Sequence, residues 1–192
     1  MHSEKVDAQD LMGATLIRGG EANEQIQITG RYDVKCLDAE GNVKWEDTIK
    51  NLVVTVGKND LLDKYFAGSA YTAAWYMGLV DNTSFSAYAP GDILSSHTGW
   101  REFLSYTISG SSTNRATPTW SAASAGSKAT TATTFTITGS GTVLGALMCT
   151  TQARNSATDG GAGILYSAGS FTGGSRAVAS GDSLLVTYTA SV

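Results

Sequence analysis

The sequence predicts a mainly β protein: a β-sandwich or jelly-roll-like domain, with one short α-helix at about residues 57–67 and an extended N-terminal arm. Three observations point there. Gly numbers 22 against 2 Pro, and charged residues make up only 16% of the 192, a composition away from helical bundles and toward short strands joined by Gly/Ser/Thr turns. Apolar and polar residues alternate in several stretches, the period-two signature of half-buried strands. Turn signals recur roughly every 8–12 residues, enough for about eight to ten short strands. No longer repeat is present, which disfavours a solenoid or a propeller. The chain divides into an arm, residues 1–24, and one β-rich domain, residues 25–192, long enough to bury a sizeable core.

The arm has scattered charges, Gly13, Gly19 and Gly20, and one short apolar cluster, Leu11-Met12 and Leu16-Ile17. Such a segment buries too little surface to hold itself in place, so it is either mobile or laid against something else. From Ile26 the pattern changes to alternation, with Ile28, Tyr32, Val34 and Cys36 on one face and Arg31, Asp33 and Lys35 between them. Ala39-Glu-Gly-Asn42 supplies a turn, and Val43 to Ile49 resumes the alternation, so residues 31–50 read as a β-hairpin. Asn51 to Val56 is short, continuous and β-branched, either a further buried strand or the lead into a helix. In that helix Leu61, Leu62, Tyr65 and Phe66 fall on one face of a 3.6-residue period. Asn59 or Asp60 is suited to cap its start and Gly68 to close its end, and it is expected to lie over one end of a sheet.

Residues 75–100 hold most of the large side chains. Trp75 to Val80 reads as an apolar strand, followed by a long polar excursion that returns at Trp100 and feeds a second apolar run, Phe103 to Ile108. Rings of this size each bury roughly 150–250 Å², so the segment is expected to seed the core. Ser109 to Ser127 is rich in Ser, Thr, Ala and Gly, but Trp120 is costly to leave in water, which favours an ordered loop plus one strand over a linker. Ala132 to Thr138 alternates with Phe135 and Ile137 on one face. Gly139-Ser-Gly141 turns the chain, and Thr142 to Cys149 makes the expected partner strand. Strands follow at Ile164–Tyr166 and, after the turn signature Ala179-Ser-Gly-Asp182, at Ser183–Thr189.

The net charge of −4 and isoelectric point near 5.1 offer no basic field for nucleic acid or an acidic membrane surface. The first ten residues lack the apolar core of a signal peptide, and no run approaches the ~20 apolar residues of a membrane-spanning helix, so synthesis and folding in a cytoplasm are expected. Cys36 and Cys149 are too few for a disulfide framework; they read as two buried free thiols or as a single bridge.

Little in the chain looks reactive. His97 is the one histidine beyond His2, and no ligand set of metal-binding spacing surrounds it; Asp92 and Glu102 are its nearest acidic neighbours in sequence. No serine sits in the Gly-x-Ser-x-Gly setting of a strand-to-helix turn. The glycines of Asp159 to Gly163 lack the Gly-Lys-Ser/Thr of a phosphate cradle. The carboxylate pairs Asp38/Glu40, Glu46/Asp47 and Asp60/Asp63 are explained by solvation and capping, and none supplies the convergent oxygens Ca²⁺ needs. No catalytic, cofactor-binding or metal-binding residue is assigned, and the chain reads as a non-enzyme that requires no cofactor. Trp45, Trp75, Tyr76, Tyr88, Trp100 and Trp120 are candidates for a sugar platform or for subunit anchors; of the adjacent Trp75 and Tyr76, which point to opposite faces of a strand, at least one is expected in the core.

One resemblance adds to this. Val43 to Ile49, Asn51-Leu-Val-Val-Thr-Val-Gly-Lys-Asn-Asp-Leu-Leu-Asp63, Tyr76-Met-Gly-Leu79, Ala89-Pro-Gly-Asp92, Ser96-His-Thr-Gly-Trp-Arg-Glu102 and Gly181 to Thr189 together resemble a group of tailed-bacteriophage virion structural proteins. The resemblance covers roughly residues 30–192 and leaves the arm unmatched. It implies a capsid decoration, or cement, protein on the outside of the virion that binds between major capsid protein subunits and stabilises the mature head. A homo-oligomer, with a trimer favoured, is expected. A tail or fibre component that contacts the host surface is the alternative. None of the matched motifs is catalytic.

Overall fold

The structure, a computed structural model, describes residues 27–66, 74–154, 156–158 and 160–192. In chain order the elements are β1 (Thr29–Leu37), β2 (Val43–Lys50), β3 (Leu52–Val53), α1 (Thr55–Phe66), β4 (Tyr76–Asp81), β5 (Arg101–Phe103), β6 (Tyr106–Thr107), β7 (Ser127–Ala129), β8 (Thr133–Ile137), β9 (Gly141–Cys149), β10 (Leu165–Ser170), β11 (Arg176–Val178) and β12 (Ser183–Ser191). The mainly β class with one short helix is as expected from the sequence. The arm, Ile26 and Gly68 lie outside the described residues.

Among the described residues all the strand pairings are antiparallel and form two six-stranded sheets. The first runs β2-β1-β12-β8-β6, with β7 pairing the far end of β12; the second runs β3-β10-β9-β4-β5, with β11 pairing the start of β9. The predicted hairpin is present: β1 and β2 pair from Arg31↔Lys50 onward, and Gly41 takes φ 88° in the turn, a backbone region that costs glycine little. The closing strand β12 becomes the centre of its sheet, paired with β1 over its whole length. Its preceding turn is held by Asp182, whose carboxylate accepts the Ala179 N–H at 2.8 Å and the Lys44 ammonium at 2.6 Å.

The sheets face each other across one core. Tyr32, Val34, Phe135, Ile137, Val186 and Tyr188 from the first sheet meet Met77, Leu79, Val143, Ala146 and Met148 from the second. A second, smaller core lies on the outer face of the second sheet, where Leu94 and Trp100 of the 82–100 excursion cover Val80, Leu144, Leu147, Cys149 and Leu165. That extra layer explains why β9 is buried at every position from Val143 to Cys149: both of its faces are covered. The register shift between Val80 and Asp81 makes Leu144 an extra residue opposite β4. This bulge resets the alternation, so that Val143 and Ala146, three apart, face the same core. The large residues of 75–100 therefore do seed a core, though chiefly the second one.

Four expectations are corrected. Phe103 to Ile108 is not one strand, because the chain leaves the second sheet after Phe103 and enters the first at Tyr106. Likewise β8 and β9 are not partners: the Gly139-Ser-Gly141 turn carries the chain from the first sheet to the second. The helix starts at Thr55, where the Val54 carbonyl accepts the Lys58 N–H at 3.1 Å, so Asn59 and Asp60 fall in its second turn and do not cap it. Its apolar face is not packed on the sheet. The position that meets β10 is Gly57, where a Cβ would stand 2.6 Å from the Tyr166 carbonyl oxygen. This close approach sets the helix so that Leu62, Tyr65 and Phe66 point outward, at 48%, 80% and 72% exposure.

Candidate functional site

Two constellations stand out. The first gathers residues that the sequence placed near His97. Asp92 accepts the Ala89 N–H and the Trp100 indole N–H, both at 2.9 Å. His97 stacks on the Trp100 ring, with centroids 3.7 Å apart and planes 12° apart, and donates from Nδ1 to the Trp100 carbonyl at 3.1 Å. All three are buried. The arrangement fixes the return of the 82–100 excursion onto the sheet and leaves the imidazole and carboxylate engaged with Trp100.

Glu102 turns elsewhere. Its carboxylate receives Nε and Nη2 of Arg115, the latter at 2.7 Å, while Nη1 of Arg115 donates to the carbonyls of Thr151 and Ala153 and Nη2 also to Gly160. All five guanidinium N–H groups are thereby used, at 0% exposure for Arg115 and 2% for Glu102. Burial pushes the Glu102 carboxyl up, opposed by the field of Arg115. Burial also pulls Arg115 down, but the charge and hydrogen bonds of Glu102, with its other neighbours, together outweigh burial and hold the guanidinium above its ordinary value. A buried, fully satisfied pair of this kind ties three loop carbonyls to a sheet edge. In the sequence its only mark is one arginine in a run of small residues.

The remaining candidates are dispersed. Asp38 closes its own turn by accepting the N–H groups of Glu40 and Asn42. Glu46 pairs with Lys35 at 2.7 Å on the surface. Asp47 is nearly buried and accepts from Arg176, Thr172 and the N–H groups of Thr48 and Gly173. Burial pushes its carboxyl up, but those donors together outweigh burial and hold it below the ordinary value. Asp60 lies one helical turn from Lys64. Among the described residues no three His, Cys, Asp or Glu side chains converge to hold a metal ion. Cys36 and Cys149 are both free and buried, so the bridge is ruled out in favour of two thiols.

The second constellation is an aromatic cleft of about 430 Å³ between α1 and one end of the sandwich. Trp75 and Trp120, both singled out from the sequence, lie on it with Tyr166, Tyr188 and Met148 beneath and Leu61 at the helix edge. Trp75 packs edge-on against Tyr166 at 5.2 Å and Trp120 against Tyr188 at 6.0 Å. Lys64 and Lys128 supply positive charge beside Asp60. The other aromatic candidates are elsewhere: Trp45 packs on Phe171, and Tyr76, Tyr88 and Trp100 belong to the second core. Trp75 and Tyr76 do take opposite faces, each half-buried against a different core. Tyr166, Tyr188 and Met148 read from the sequence only as strand residues; that they floor a cleft depends on which strands end beside α1.

The chain matches no protein-family model, no curated protein and no solved structure.

Proposed function

We propose that this chain is a structural protein of a tailed-phage particle, a capsid decoration protein that sits on the outside of the virion, binds between major capsid protein subunits and stabilises the mature head. The observation that carries the reading is the outward-facing apolar surface of α1. Leu62, Tyr65 and Phe66 lie together on one helix face, with the rings of Tyr65 and Phe66 in edge contact at 5.0 Å. Apolar surface of this kind, exposed in contiguous patches, marks a place where another molecule sits. Support also comes from the resemblance over residues 30–192 and from a sandwich whose buried charges are spent on holding loops. Assembly as a homo-oligomer, a trimer by preference, multiplies weak contacts with several capsid subunits through effective concentration. The N-terminal arm extends the contact along the shell, and the chain acts without enzymatic chemistry.

The test is binding to expanded capsids by co-sedimentation. Replacing Tyr65 and Phe66 together by Ser abolishes binding while leaving the folded domain intact, and deleting residues 1–24 weakens it. Full binding by the Tyr65/Phe66 double variant overturns the docking face, and absence of binding by the natural chain overturns the capsid reading. A second reading rests on the cleft: Trp75 and Trp120, which both line it, suit a glycan platform in a tail or fibre component. Immunogold labelling at the tail instead of the head favours it.

A further inference from the structure

The floor of the aromatic cleft is apolar: Tyr166, Tyr188 and Met148 are buried in it, while Trp75 and Trp120 on its walls stay partly exposed. Its position relative to the start of β1 decides what fills it. Thr29 pairs with Ser191 and Gly30 with Ala190; Ala190 lines the cleft, and Lys128, paired with Ala190 from the other side, lines it too. The chain therefore emerges from the arm at the same end of the first sheet, one strand from the cleft.

The arm carries the matching chemistry. Leu11-Met12 and Leu16-Ile17 form its apolar cluster, with Asp10 before it and Arg18 after it. Aliphatic and thioether side chains pack well on aromatic rings. A volume of about 430 Å³ falls within the roughly 300–1,000 Å³ of sites that enclose a small group of side chains or a ligand. Residues 18–26 link the cluster to the described chain and span at most about 30 Å when extended. A tether of that length holds the cluster at roughly millimolar effective concentration near its own cleft, which outcompetes a second copy at ordinary protein concentrations.

We propose that residues 11–17 of the N-terminal arm pack into the aromatic cleft of the same molecule, between α1 and the Trp75–Trp120 end of the sandwich. This inference stands apart from the virion reading and holds or fails whatever the domain binds.

Isotope-labelled full-length chain tests it. Methyl groups of Leu11, Met12, Leu16 and Ile17 are expected to show nuclear Overhauser contacts with the ring protons of Trp75, Trp120 or Tyr166. Those contacts are expected to be absent in an isotope-filtered sample that mixes labelled and unlabelled copies. Replacing Leu16 and Ile17 by Asp is expected to abolish the contacts, with the β-sheet spectrum unchanged, and to make tryptophan fluorescence more easily quenched by acrylamide. Three results overturn the proposal: no methyl contact with those rings, contacts that appear only between copies, or a double variant with unchanged contacts and quenching. Glycan fragments that shift the ring signals of the natural chain without displacing arm methyl signals likewise overturn it and favour a sugar site.

Discussion

Glu102→Gln is the most direct test of how the loops at the β5 edge are held. In the natural chain the carboxylate neutralises a guanidinium that has no access to solvent. Gln keeps the shape and one acceptor but removes the charge, leaving the buried Arg115 with neutral acceptors only, the amide oxygen and the carbonyls of Thr151, Ala153 and Gly160. Removing one member of a buried pair typically costs about 3–5 kcal/mol; because the amide oxygen still accepts a bond, about 3 kcal/mol is expected here. For a chain of this size that corresponds to a fall in Tm of roughly 6–12 °C, at about 2–4 °C per kcal/mol. Arg115→Met is expected to cost more, since it strands the Glu102 carboxylate and leaves three carbonyls without their donor, each worth about 1–3 kcal/mol when buried. Combining the two removes both charges, so the double variant is less destabilised than the sum of the single ones. The assay is urea unfolding, with the midpoint read at constant slope. A Glu102→Gln variant within about 1 kcal/mol of the natural chain, or strict additivity in the double variant, refutes the reasoning.

Three further outcomes follow from the same structure. Cys36, pushed up to about 11 by burial and the charge of Asp182 against the pull of Lys44, and Cys149, pushed up to about 11 by burial against the pull of Arg115, are expected to ignore a thiol-specific reagent in the native protein and both to react once it is unfolded; a fast native reaction contradicts their burial. The folded carboxyl of Asp47 lies below its ordinary value, so its contribution to stability is complete above the unfolded value of about 3.9 and is lost as pH falls through the lower folded value. Asp47→Asn is therefore expected to be less stable than the natural chain at neutral pH, with the gap closing below about pH 4 in denaturant titrations; a pH-independent gap contradicts this. Gly57→Ala gains up to about 1 kcal/mol of helix propensity, yet its Cβ meets the Tyr166 carbonyl oxygen at 2.6 Å and the Tyr166 Cα at 2.9 Å. With overpacking at about 1–3 kcal/mol, net destabilisation of roughly 1–2 kcal/mol is expected, and a stabilised variant refutes the close helix–strand contact.

Local pattern alone determined the β class, the β1–β2 hairpin with its Gly41 turn, the inward face of β8, the presence of a closing strand at β12, and the presence of one helix near residue 60. Those features depend on side-chain periodicity and turn chemistry within a few residues, which any stretch of chain displays by itself. Tertiary structure decided what those elements touch. The alternation of β8 shows that Phe135 and Ile137 are buried, but not that the next strand joins the opposite sheet. The 3.6-residue period of Leu61, Leu62, Tyr65 and Phe66 marks an apolar face, but a single glycine pressed against β10 turns most of it outward. Arg115 and Glu102 are 13 residues apart, and only the folding of three separate loops makes them partners; Trp75, Trp120 and Tyr188 reach one cleft by the same kind of convergence. Periodicity tells which side of a segment leaves water, whereas the partner that covers that side is chosen by pairings between residues distant in sequence, and these leave no local mark.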